Sequence, residues 1–199
     1  MVTEVYHVLK TDKQTRQGLY DAFYNRKIPI AMGTYTDNKK AGIWRFYDTR
    51  GILIQIFDYD KNKLLYEEPV DSISRMFIRY KFDTKFSADD RVTKPIILGG
   101  RVFGFVPYLE LYQLSSDLDD IDPRSFDCML EILVSLLGRL ADIKIHIRTG
   151  DFTRITTFSP DLINEDDKLF IPATLNGEPI MSRIFLPCRV TYNGGLDVD

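Results

Sequence analysis

The chain has 199 residues, 44% of them hydrophobic and 28% charged, with a net charge of -3 at pH 7. That mixture excludes intrinsic disorder, and the length holds one large domain or two small ones, of which we read two. The acidic balance leaves no basic footprint, so nucleic acid and anionic membrane surfaces are not expected partners.

The opening residues, Met1 to His7, lack a basic stretch followed by an apolar run, so no secretory signal is read. As it stands the chain is expected in the cytoplasm, or in the periplasm if it is a trimmed mature form. Val5 to Leu9 reads as a strand. An internal repeat follows: Gly18-Leu19-Tyr20 recurs as Gly42-Ile43-Trp44, and Gly33 to Lys39 recurs as Phe57 to Lys63, both offset by 24 residues. Aromatic residues spaced two or three apart lie between polar clusters such as Asp37 to Gly42 and Asp60 to Lys63. That pattern predicts consecutive antiparallel hairpins from Gly18 to Lys63. Two hairpins bury too little apolar surface to stand alone. The flanking runs Val5 to Leu9 and Met76, Ile78, Tyr80, Phe82 are therefore expected to extend the same sheet. The aromatic residues Tyr20, Tyr24, Trp44 and Tyr47 either stack between hairpins or line a binding surface.

A polar linker is expected over 83–93, followed by a second domain over 94–192 and a tail over 193–199. Phe105 to Leu114 has near-helical apolar spacing, ended by the acidic loop Ser115 to Pro123. Cys128 to Leu140 fits a helix and a strand equally well, and periodicity does not decide between them. Ile143, Ile145 and Ile147 alternate with polar residues in the period of a half-buried strand, as do Ile184, Leu186, Cys188, Val190 and Tyr192. Cys128 to Ile147, the most apolar stretch, is interrupted by Glu131, Arg139, Asp142, Lys144 and His146, which excludes a membrane span there.

Chemical motifs are sparse. His7 and His146 sit on the polar faces of predicted strands and read as solvated. The two cysteines, Cys128 and Cys188, are too few for a disulfide framework and read as buried free thiols. No zinc spacing is present. The run Asp117, Asp119, Asp120, Asp122 lacks the glycine and glutamate of a calcium loop, and Asp58-x-Asp60-x-Asn62 fails at Lys63, where glycine is needed. Glu67-Glu68 and Asp166-Asp167 read as solvated loop pairs. No nucleophile elbow, phosphate-binding loop or dinucleotide fingerprint occurs, and Gly99-Gly100 reads as a bend. No cofactor, metal or catalytic residue is assigned.

Two resemblances bear on this reading. Gly33-x-Tyr35, Gly42-x-Trp44, Tyr47 and Gly51 resemble the bacterial variant of MORN repeats over about residues 16–66. This implies a curved stack of β-hairpins without catalysis. Phe170-Ile171-Pro172-Ala173, Asn176-Gly177-Glu178-Pro179 and Leu186-Pro187, with Pro95 and Gly99-Gly100, resemble the C-terminal domain of TonB-type energy transducers over about 94–192. This implies that domain's fold and its pairing with a peptide strand, not energy transduction. It places Gly138 at a hairpin turn, so Cys128 to Leu136 is expected as a strand paired with Asp142 to Ile147.

The fold expected is mainly β with some α (α+β): an N-terminal hairpin repeat sheet over 1–82 and a small α+β module. The expected function is non-enzymatic binding of a protein or peptide through a sheet edge or the repeat surface. Proline cannot donate a ladder hydrogen bond, so Pro187 marks a sheet edge or a strand end, and Met181, Ser182, Arg183, Ile184, Phe185 and Leu186 are the expected partner-binding edge, with Arg183 attracting an acidic residue, unless the N-terminal sheet or a second copy covers it. The alternatives are a small hydrolase or lyase with a cleft between the two segments, and a structural protein whose repeats self-associate into a homo-oligomer.

Overall fold

A computed structural model describes residues 2–69, 78–118 and 121–198. The protein is mostly β, in antiparallel sheets. It divides into two compact units, one formed by the chain up to Pro69 with Leu98–Phe105, the other by the remainder.

The first unit is a six-stranded antiparallel meander of β1 (Val2–Val8), β2 (Arg16–Tyr24), β3 (Ile28–Thr36), β4 (Lys39–Tyr47), β5 (Leu53–Asp58) and β6 (Lys63–Glu67), each strand beside its sequence neighbours. Its turns are cheap because their residues tolerate the left-handed region: Asp37 and Asn38 have φ of 49° and 65° at the β3–β4 turn. Tyr20 and Trp44 are both fully buried on one face of the sheet, within 5.2 Å of each other between ring centroids. Tyr35 meets Trp44 edge-on at 5.2 Å, and Tyr59 meets it at 5.9 Å. Tyr24 and Tyr47 are half-buried. Gly33 is required where it stands: a Cβ there would lie 2.2 Å from the Trp44 indole. A single-turn helix, α1 (Gly100–Phe103), closes this face by laying Phe103 against Tyr20 and Phe46.

The second unit contains β7 (Arg79–Phe82), β8 (Ile96–Ile97), α2 (Val106–Leu109), β9 (Asp127–Val134), β10 (Leu140–Thr149), β11 (Phe152–Phe158), β12 (Phe170–Ile171), β13 (Ala173–Leu175), β14 (Glu178–Ile180), β15 (Ser182–Val190) and β16 (Leu196–Asp197). Its main sheet runs β11-β10-β9-β15-β16, with β7 also on β15. The ambiguous run from Cys128 is a strand: β9 pairs with β10 through a turn in which Gly138, at φ 65°, donates its N–H to the Ser135 carbonyl. Leu130, Ile132, Ile143, Ile145, Ile184 and Leu186 bury one face. That burial offsets the helix propensity of the Leu-rich stretch, since on a helix the same residues would not share one face. The helix expected over Phe105 to Leu114 is confined to α2 and a following turn.

Three expectations about the borders change. Within the run expected to extend the repeat sheet, Met76 lies outside the described residues, and Arg79–Phe82 pairs with β15 instead. The expected linker packs on the β13–β14 hairpin: Arg91 N–H donates to Asn176 Oδ1 at 2.9 Å, and Asn176 Nδ2 donates to Asp90. In the expected tail, Asp197 is the register partner of Arg189. Each change has one cause. Short polar runs carry backbone donors that pair with whichever exposed strand the fold brings near, and local composition does not say which.

Candidate functional site

The edge expected at Met181 to Leu186 is covered as far as Phe185. Ser182, Arg183, Ile184 and Phe185 pair with β9 on one side and with Phe82, Lys81, Tyr80 and Arg79 of β7 on the other. Met181 accepts the Asp83 N–H through its carbonyl at 3.2 Å. The proline argument holds only at its own position. Pro187 falls after the last β7 pair, at Phe185, and before the first β16 pair, at Arg189, so its missing donor meets a gap between two flanking strands. Arg183 is committed within the unit: Nη1 donates to Glu131 Oε1 at 2.7 Å, and Nε lies 3.7 Å from Asp83.

That ion pair belongs to a cluster that the sequence did not reveal. On the face opposite the core, Glu131 of β9 is nearly buried and takes Arg183 on one oxygen and His146 Nε2 on the other, each at 2.7 Å. Burial pushes the Glu131 carboxyl up, but the hydrogen bonds from His146 and Arg183 and the charge of Arg183 outweigh it and hold the group below its ordinary value. His146, expected to be solvated, is therefore tied down. Both oxygens of the carboxylate are occupied by these donors, so the cluster fixes three strands side by side and presents His146 to an open groove. The groove, about 530 Å³, has Met129 and Pro187 among its apolar lining, with Arg79, His146 and Arg148 as its basic groups. Arg148 pairs with Asp127 at 2.8 Å, while Arg79 reaches Met129 Sδ at 4.0 Å. Asp127 lines the groove too, and what the arrangement offers is room for an apolar side chain.

The open edge of this sheet lies elsewhere, at β11. All seven of its residues pair in unbroken register with β10, and among the described residues no strand pairs with its other side. Thr153, Ile155 and Thr157 are exposed, Ile155 at 56%. The strand has no proline, lysine or bulge, the devices that usually protect an edge. Its one charge, Arg154, donates to Ser115 Oγ at 2.7 Å. The edges of the first unit are less suited: β1 is bulged between Tyr6 and Val8, and β6 carries Lys63 and Glu67 at its ends. A run of β-branched residues after a tight turn, Gly150-Asp151, was the available signal for β11. It is overshadowed in sequence by the stronger alternation at Ile184 to Tyr192.

The remaining candidates have structural roles. Asp58 accepts the Lys61 N–H at 3.0 Å and so caps the β5–β6 turn, while Asp60 accepts the Gly42 N–H at 2.8 Å and ties that turn to β4. Asp122 caps the turn at Pro123–Ser125, and Asp119 and Asp120 lie outside the described residues. Among the described residues no three His, Cys, Asp or Glu side chains converge as a metal site, and no helix is long and apolar enough to cross a membrane. Glu67 is not a solvated loop residue: it ends β6, half-buried, and accepts from Gln55 Nε2 at 2.8 Å. Gln55, fully buried, in turn accepts the Gly99 N–H at 2.8 Å, so Gly99-Gly100 is the head of α1, anchored to β5. No family model, curated protein or solved structure compared with this chain matches it.

Proposed function

We propose that the protein is a non-enzymatic binding module that takes an extended segment of a partner protein as an added strand along β11. The observation that carries this reading is the unprotected seven-residue edge of β11. Backbone groups of such an edge supply affinity, and alternate side chains supply specificity. The groove, which Thr153 of β11 also lines, supplies a place for an apolar residue. Within the same proposal, residues 16–66 are a MORN-variant hairpin repeat, supported by the equivalence of Tyr20 and Trp44 across the 24-residue offset. Residues 94–192, of which 98–105 pack with the first unit, are a TonB C-terminal-like module. Support comes from the hairpin turn at Gly138 and from Asn176-Gly177, both at positive φ, turning β13 into β14.

The test is selection of displayed random peptides on the full chain, repeated on Ile155→Lys. That variant places a charge on an exposed edge side chain and leaves the core untouched. The proposal expects selected peptides rich in β-branched residues whose binding drops at least about tenfold on Ile155→Lys, the scale of one or two lost strand contacts. Peptides that bind the variant equally well would place recognition elsewhere.

A further inference from the structure

The chain holds two cysteines, and the fold sets them face to face. Cys188 of β15 is the register partner of Cys128 of β9, although 60 positions separate them in sequence. Directly opposed residues of an antiparallel pair project to the same face, with Cα atoms about 4.5 or 5.5 Å apart according to the pair type. Both spacings fall within the about 4.4–6.8 Å that a disulfide bridges. The pair is also reachable. Cys188 is half-buried and Cys128 buried, and strand alternation turns both side chains to the face of Leu130 and Leu186, so the way in is the partial exposure of Cys188. On the far side of β15, residues 186–188 lie between the last pair with β7 and the first with β16, where no described strand covers them.

We propose that Cys128 and Cys188 form a reversible thiol–disulfide site, which a low-molecular-weight disulfide converts into a covalent crosslink between β9 and β15. The more exposed Cys188 reacts first. Its thiolate attacks one sulfur of the small disulfide, forming a mixed disulfide and releasing one small thiolate. The Cys128 thiolate then attacks the Cys188 sulfur of that mixed disulfide, forming the crosslink and expelling the second small thiolate. The protein dithiol gives up two electrons, the small disulfide becomes two thiols, and the two cysteine protons pass to the released thiolates.

Burial pushes the Cys188 thiol up to about 11 and the Cys128 thiol up to about 12. Both are therefore protonated at neutral pH, and the exchange is slow there, gaining about tenfold per pH unit as the thiolate fraction grows. The Cys188 thiol donates to the Leu186 carbonyl oxygen at 3.4 Å, a hydrogen bond that forming the crosslink gives up. A site of this kind responds to prolonged exposure to an oxidising small-molecule pool rather than to a brief pulse.

The experiment treats the reduced full-length chain with oxidised glutathione in non-denaturing buffer at about pH 8 and about pH 9, and follows intact mass and the peptide map. The proposal expects a chain lighter by two hydrogens and a peptide linking Cys128 to Cys188. It also expects formation about tenfold faster at the higher pH and reversal by dithiothreitol. Amide exchange at Leu130 and Leu186 should slow in the oxidised chain. Cys128→Ser should stop at a stable glutathione adduct on Cys188. Persistent free thiols, glutathione adducts on the wild type without crosslink, or a crosslink that forms only in urea would each overturn the proposal. The wild-type result stands whether or not the serine variant folds.

Discussion

Glu67→Gln tests how the first unit handles a carboxylate in its interior. Burial, against the smaller opposing effects of the Gln55 hydrogen bond and Arg101, pushes the Glu67 carboxyl from 4.5 up to about 7. The folded state thus binds its proton more tightly than the unfolded chain does. The stabilisation this provides is complete below about pH 4.5 and is lost as pH rises through about 7. A shift of that size corresponds to about 3 kcal/mol, and solvent reaching the half-buried group reduces it to about 2 kcal/mol. Glutamine keeps an acceptor for Gln55 Nε2 without a titrating proton. The variant should therefore match the wild type near pH 5 and exceed it by about 2 kcal/mol near pH 8. Urea unfolding followed by fluorescence is well placed to read this, because Trp44 is the single tryptophan and lies buried in the same unit. A wild-type midpoint that does not fall between pH 5 and pH 8, or a variant with the same pH slope, would refute the reasoning.

Three further perturbations follow from close contacts and charge. Gly33→Ala drives a methyl group into the Trp44 ring and should cost about 3 kcal/mol or more, read by the same fluorescence. Gly138→Ala combines a φ of 65° with a Cβ 2.3 Å from the Phe170 carbonyl oxygen, so it should cost over about 2 kcal/mol. Gly138→Asn should be no better, whereas Gly177→Asn, where a Cβ meets open space, should cost under about 1 kcal/mol by thermal unfolding. Arg183→Met removes one donor from Glu131 and should cost about 2 kcal/mol, measured by amide exchange at Ile132. In the wild type, the stabilisation Glu131 brings is present above its unfolded value and lost as pH falls through its lower folded value, so acid should weaken this unit.

The sequence was most legible where one local rule acted alone. The polar turns Asp37-Asn38 and Asp60 to Asn62 and the alternating aromatic residues between them gave the meander, because turn chemistry and period two agree there. The β9–β10 turn at Gly138 was expected only through a resemblance, because the run from Cys128 fits helix and strand periods alike. What stayed hidden depends on register between distant strands. Glu131, His146 and Arg183 share a face only because β9 lies between β10 and β15. The opposition of Cys128 and Cys188 has the same origin. Pro187 illustrates the limit from the other side: its missing donor, read as the mark of an edge, meets only a local gap between β7 and β16 beside an inner strand. Its extension to Met181–Leu186 failed as far as Phe185 because Arg79–Phe82, assigned to the repeat sheet, supplied the covering strand. Pairing between residues as distant in sequence as Phe82 and Ser182 decided which edge stayed open.

Whether β11 receives a partner strand is tested most directly by residue-resolved amide exchange of the full chain with and without a selected peptide. The account predicts slowed exchange at alternate residues of Phe152–Phe158, those whose N–H groups face away from β10. Exchange across Ser182–Phe185, already paired on both sides, should stay unchanged. Protection confined to the first unit, or absent from β11 while the peptide is bound, would contradict it.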